Sequence, residues 1–211
     1  MNQRAQSKAS TRDAIIEAAA KEFAQHGYAG TSFASVASAM GRPKSAIGYH
    51  LFRSKKELAS AVISLQQSRW VQIDSGIPQP EGPDHLLIVL FAACRDAMRC
   101  PIAAGAIRLI QEFRGAEEDI PATFVWDAYV RRHLRAAIAV PTPTMAPDWD
   151  RAADLLLTST FGVMWARTGS MRPRDVEEQL RELWSALFTA WGLPQVRDVL
   201  QGEETLRCID S

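Results

Sequence analysis

Hydrogen-bond donors crowd one short stretch of this 211-residue chain. The segment PKSAIGYH, residues 43–50, holds Pro43, Lys44, Ser45, Tyr49 and His50, with Arg42 before it and Arg53, Lys55 and Lys56 after it. All of these side chains but that of Pro43 can donate to phosphate oxygens and to the acceptors on base edges. Thr31 and Ser32 stand where a helix opens, and the unpaired N–H groups of a helix start favour an anion. No comparable set for bond-making chemistry is found elsewhere. His26, His50, His85 and His133 lie far apart, without HxxxH or HxxE spacing, so no metal site is expected from neighbouring ligands. A GxSxG elbow, a GxxxxGKS/T loop and a GxGxxG after a strand are all missing. The chain therefore reads as a non-enzyme with no cofactor. Cys94, Cys100 and Cys208 are odd in number and lack CxxC spacing, which suits a reducing cytoplasm better than a disulfide framework.

The charges are unevenly distributed. Lys+Arg and Asp+Glu both total 24, yet residues 1–56 hold nine basic and three acidic side chains. A basic N-terminal quarter on an acidic body suits a nucleic-acid-binding head, because phosphate neutralisation supplies most non-specific affinity. A solvated basic face with no partner explains the same imbalance equally well. An apolar share of 47% and a charged share of 23% fit an ordinary globular protein. The longest apolar run, Leu86 to Cys94, is too short to span a bilayer, and the opening MNQRAQSKAST lacks the apolar core of a signal peptide. No membrane partner is expected.

The elements that must position these groups are helical. Ile16, Ala19, Ala20 and Phe23 recur at helical spacing and predict a helix over 11–26, with Ser10 or Thr11 as its cap and Gly27 as the left-handed residue that ends it. A short helix from Thr31-Ser32 to Gly41 turns Phe33, Val36 and Ala37 inward, and Pro43 starts another that ends near His50. Ser54-Lys55-Lys56-Glu57 reads as a capping box that opens a long helix to about Asp74. The break SGIPQPEGP (75–83) precedes five more predicted helices, over 84–98, 101–114, 121–139, 148–168 and 172–191. The first of these is apolar nearly all round and should be buried. The last carries a wide stripe of Val176, Leu180, Leu183, Trp184, Leu187, Phe188 and Trp191, a face suited to its own core or to a second subunit. The predicted class is all-α. Arg131, Arg132 and Arg135 read as a solvated helix face, and Cys94 and Cys100 as structural thiols in apolar surroundings.

Helix, short helix, tight turn and second short helix over residues 11–50 have the layout of a helix-turn-helix, whose second short helix enters the major groove. Residues 11–58 resemble the DNA-binding domain of the TetR family of one-component repressors. The resemblance rests on Thr11-Arg12, Ile15-Ile16, Ala18-Ala19, Phe23, Gly27-Tyr28, Thr31-Ser32, Val36-Ala37, Gly41, Lys44, His50 and Ser54-Lys55-Lys56-Glu57-Leu58. It implies a homodimer whose heads bind a near-palindromic double-stranded DNA operator and whose C-terminal domain holds a small-molecule effector. Thr31, Ser32, Arg42, Pro43, Lys44, Ser45, Tyr49, His50 and Lys55 become the candidate DNA contacts. The sequence departs from the family at Gly48, where an aromatic is usual, at the extra Leu51, and at Arg42-Pro43 in place of Val-Ser/Thr. The operator sequence is therefore not readable by analogy.

The domains expected are a DNA-binding head over 1–56 and an effector-binding and dimerisation domain over 57–211. Within the latter, 58–70, 101–109 and the segment around Trp126 resemble the γ-butyrolactone-receptor branch, in which a Trp lines the effector pocket. That resemblance makes Trp126 the first ligand candidate. Phe91, Ile107, Phe161, Met164 and Trp165 join it as an apolar, aromatic lining suited to a largely apolar effector. Each of these rings can equally fill the core. The rival function is a small helical enzyme or lipid carrier with an accessory basic head.

Overall fold

The structure, a computed structural model, describes residues 3–43, 51–115, 121, 123–136, 148–165, 176–193 and 196–200. Among them the secondary structure is helical: α1 (Gln3–Gly30), α2 (Phe33–Ala39), α3 (Lys55–Ser75), α4 (Pro83–Arg99), α5 (Pro101–Gly115), α6 (Trp126–Ala136), α7 (Trp149–Trp165), α8 (Val176–Ala190) and α9 (Val196–Leu200). The contacts divide the chain into two compact units. One is Met1–Arg69 with Asp96–Thr123, and the other is Trp70–Arg95 with Phe124–Ser211.

In the first unit α1 packs on α5 and α2. Its stripe of Ile15, Ile16, Ala19, Ala20 and Phe23 closes a core with Val36, Phe52, Leu58, Val62, Leu109 and Phe113. The helix starts earlier than expected: Ser10 and Thr11 lie inside it rather than cap it, since nothing in QRAQSKAS stops the backbone. Gly27 has the expected positive φ, 69°, but its ψ of −177° is extended and not left-handed helical, and it kinks the helix three residues before its end instead of ending it. Gly105 brings two backbones together, because a Cβ there would stand 2.4 Å from the carbonyl oxygen of Ala20. Ser32 caps α2 reciprocally with Ser35, each side chain meeting the other's backbone N–H at 3.1 Å. Ser54 accepts from the Glu57 N–H at 3.0 Å, and the Glu57 carboxylate reaches back to the Arg53 N–H at 2.6 Å. The forward half of the predicted capping box thus opens α3, while Glu57 reaches one residue further back than expected, to Arg53 instead of Ser54.

In the second unit α4 is buried on all sides from His85 to Cys94, as its apolar run predicts. Consecutive helices α6, α7, α8 and α9 pack each on the next. Trp184 of α8 is wholly buried, and its indole N–H donates to the Thr160 hydroxyl at 2.9 Å. Two expectations are corrected. The helix predicted from residue 121 begins at Trp126, because Pro121 and the bends at Thr123 and Phe124 precede it. A further helix, α9, follows the one predicted to be last; its five residues are too few to show a period. Residues 44–50, most of the proposed reading helix, fall outside the described residues, as do 137–139, 166–168 and 172–175 at the edges of other predicted helices.

Candidate functional site

The first candidate region is the corner where α1 ends and α2 begins. Thr31 is 2% exposed, and its hydroxyl donates to the Gly27 carbonyl at 2.8 Å, so its side chain ties the corner together from within. Ser32 stays exposed while it caps α2. Lys55, at the start of α3, points its ammonium at the Tyr28 carbonyl (2.8 Å) and lies 4.4 Å from the centre of the Tyr28 ring. It therefore clamps the end of α1 while keeping further N–H donors. Arg42 and Pro43 are exposed just past Gly41. Lys44, Ser45, Tyr49 and His50 lie outside the described residues.

Two side chains of α5 complete the break at Gly27. The Glu112 carboxylate accepts from the Tyr28 N–H at 2.6 Å, and Arg108 donates to the Ala24 carbonyl at 2.9 Å. Arg108 also pairs with Glu112 at 3.0 Å. The kink leaves backbone groups without helical partners, and this ion pair satisfies them. Sequence reading missed the pair because Arg108 and Glu112 belong to a helix 84 residues away from the groups they serve.

The effector candidates divide between the units. Trp126 is half-buried in an aromatic group, with its ring 5.4 Å from Trp70, 5.0 Å from Phe124 and 5.7 Å from Tyr129. Trp70 is buried, and its indole N–H has no hydrogen-bond partner among the described residues. Phe91 is packed edge-on to Trp184 at 6.3 Å, with the Arg181 and Arg95 guanidiniums at 4.5 and 5.8 Å from its ring. Phe161 and Met164 are half-buried on α7, and the side chain of Trp165 lies outside the described set. Ile107, half-buried on α5, belongs to the first unit.

One polar cluster in the second unit was not visible in the sequence. Asp74 accepts from the Tyr129 hydroxyl at 2.7 Å and meets His85 Nε2 at 2.7 Å. His85 Nδ1 faces the Gln79 carbonyl at 2.8 Å, and the rings of His85 and His133 stack at 4.9 Å. His133 Nδ1 lies 3.2 Å from both backbone polar atoms of Gly82. Burial alone would raise the Asp74 pKa, but the Tyr129 hydroxyl and the facing His85 ring outweigh that and hold it below the usual carboxylate range. Burial pushes the His133 ring down and the Tyr129 phenol up. No sequence motif finds this group, because its members come from α3, α4 and α6.

Residues 15–62 match the family described as bacterial regulatory proteins, tetR family. A comparison with curated proteins finds no match. Among solved structures, one described as the molecular basis for control of antibiotic production by bacterial hormones is 28% identical, covering 86% of this chain and 97% of its own with a TM-score of 0.69. A γ-butyrolactone receptor, ArpA-like, is 21% identical, covering 95% and 98% at a TM-score of 0.74. CprB, a TetR family protein from Streptomyces coelicolor solved in complex with its biological operator sequence, is 21% identical, covering 96% and 98% at a TM-score of 0.71. At that identity the last two establish the shared helical fold.

Proposed function

We propose, from a head that belongs to the tetR family of bacterial regulatory proteins over residues 15–62, that this chain is a ligand-responsive transcriptional repressor. It binds a near-palindromic operator as a homodimer and is released by a small, largely apolar effector of the γ-butyrolactone class. The family match of the head carries the reading. Further support comes from solved relatives whose descriptions name an operator complex, a butyrolactone receptor and bacterial hormones. A regulatory role rather than catalysis, and a cytoplasmic location, follow from the same reading. No described helix is long and apolar enough to cross a membrane.

Arg42, Pro43, Lys44, Ser45, Tyr49 and His50 are the residues that read the operator in this proposal, with Ser32 and Lys55 on phosphates, while Thr31 braces the corner between α1 and α2. In the second unit the Trp70, Phe124, Trp126 and Tyr129 rings suit an apolar effector, and the unpartnered Trp70 N–H is a donor for a lactone carbonyl. Effector binding weakens the operator only to the extent that it prefers the state with separated reading helices. A coupling of about 1–3 kcal/mol gives a 5–150-fold loss of DNA affinity.

A mobility-shift titration against the DNA flanking the chain's own gene, with and without a γ-butyrolactone, tests this. The expected result is a retarded complex that the lactone dissolves. Trp126→Ala should fold and bind the same DNA, yet stay bound at effector concentrations that release the wild type. Absence of any shift at low salt overturns the repressor reading, and an unaltered response of Trp126→Ala overturns the pocket.

A further inference from the structure

We propose that Asp74, His85 and His133 bind one divalent transition-metal ion, with Zn2+ the best match to the donor set. The case begins with His85. Its Nδ1 faces the Gln79 carbonyl at 2.8 Å, and a carbonyl only accepts, so Nδ1 carries the proton. In the neutral ring Nε2 then presents a lone pair to an oxygen of Asp74 at 2.7 Å, an oxygen that also accepts from Tyr129. Two lone pairs at that separation repel unless a positive charge sits between them. Either a proton or a metal ion can supply it, and the surroundings favour the metal.

Three potential ligand atoms, one from each residue, lie within 4.8 Å of one another. Each ligand also has an outer partner that fixes its orientation: Gln79 for His85, Gly82 for His133 and the Tyr129 hydroxyl for Asp74. Metal-binding histidines and carboxylates are held this way, and a proton-bridged pair needs no such third ring. Imidazole nitrogens with one carboxylate are typical of zinc, which in a three-ligand site keeps a fourth position for water. His85 and His133 are buried, whereas the Asp74 side chain is 29% exposed and leaves a route for the ion. Bonds of about 2.0–2.2 Å at tetrahedral angles would open the present 2.7 Å Asp74–His85 gap by roughly 0.6–0.9 Å. The nearest competing cation, Arg132, lies at 3.4 Å from His133 Nε2 and is itself half-exposed, so it can swing aside. This inference stands apart from the repressor reading and from any effector.

The test uses the untagged full-length chain, stripped with a chelator and dialysed against Zn2+ with metal counted by mass spectrometry. One zinc per chain is expected, together with a raised melting temperature. Asp74→Asn and His133→Phe preserve shape and should each weaken binding by more than the 10–100-fold typical of losing an outer partner, while Tyr129→Phe should fall within that range. His26→Ala and a Cys100→Ser/Cys208→Ser double variant should bind as the wild type does. If the cluster variants fail to fold, Co2+ bound to the wild type decides: a tetrahedral d–d spectrum without thiolate bands supports the site. Zinc that binds wild type and folded cluster variants alike overturns the proposal, as does absence of zinc or a thiolate spectrum.

Discussion

Glu112 and Gly27 depend on each other. At φ 69° a β-carbon is strained, and one placed on Gly27 would lie 2.3 Å from the Glu112 carboxylate that holds the Tyr28 N–H. Removing that carboxylate leaves a partly buried N–H unsatisfied, at about 1–3 kcal/mol. Glu112→Ala should therefore lower the melting temperature by roughly 2–4 °C per kcal/mol for a chain of this size, and Glu112→Gln, which keeps an acceptor, by less. Differential scanning calorimetry of the two variants checks the order. Lys55 serves two ends at once. One N–H goes to the Tyr28 carbonyl, and others remain for a phosphate. Lys55→Ala should weaken all operator sequences about equally and lower the slope of log affinity against log salt by about one. An unchanged slope would confine Lys55 to its clamp on Tyr28. Cys94 is the contrasting case: burial pushes its thiol up to about 12, so it should resist alkylation at pH 8 in the folded chain while reacting fully in denaturant.

At the scale of elements, the close approach of α1 and α5 is the most constrained contact. Gly105→Ala sets a methyl against the Ala20 backbone, which cannot move aside as a flexible side chain would. Overpacking of this kind costs about 1–3 kcal/mol, and a urea titration should show the midpoint falling with little change in slope. Where helices begin and end was legible wherever a side chain does the work locally. Ser54 with Glu57, Ser32 before α2 and Gly27 in α1 all act within a few residues of themselves, whereas Pro83, read as the end of the break, in fact starts α4. The start of α1 was not, because Ser10 and Thr11 are good caps that the continuing helix simply overrode. Nor was α9, whose burial of Val196 and Leu200 shows only in three dimensions. The same distinction separates the site residues. The basic set near Lys44 is contiguous and could be picked out by type and spacing. Asp74, His85 and His133 come together only once three helices have packed, and a search for local ligand spacing passes over them.

For the whole molecule, we expect the proposed homodimer to be joined mainly through α7 and α8. Leu155 of α7 is 51% exposed, unusual for a leucine on a helix with a buried opposite face. Leu155→Glu should shift sedimentation toward the 23.3 kDa monomer and weaken operator binding, with helical content retained. A variant that sediments as the wild type does would move the interface elsewhere. The first unit has a broader consequence, because it is assembled from two stretches of chain, Met1–Arg69 and Asp96–Thr123. Ala106, Leu109 and Phe113 close the core that α1 and α3 begin, and Gly105 and Glu112 shape its hinge. A fragment ending at residue 75 would expose that core and should show little cooperative unfolding by circular dichroism. For a genome this means the head is not a cassette. A single crossover after α3 would pair one parent's α1 with the other's α5, so recombinants among relatives should survive only when both stretches travel together.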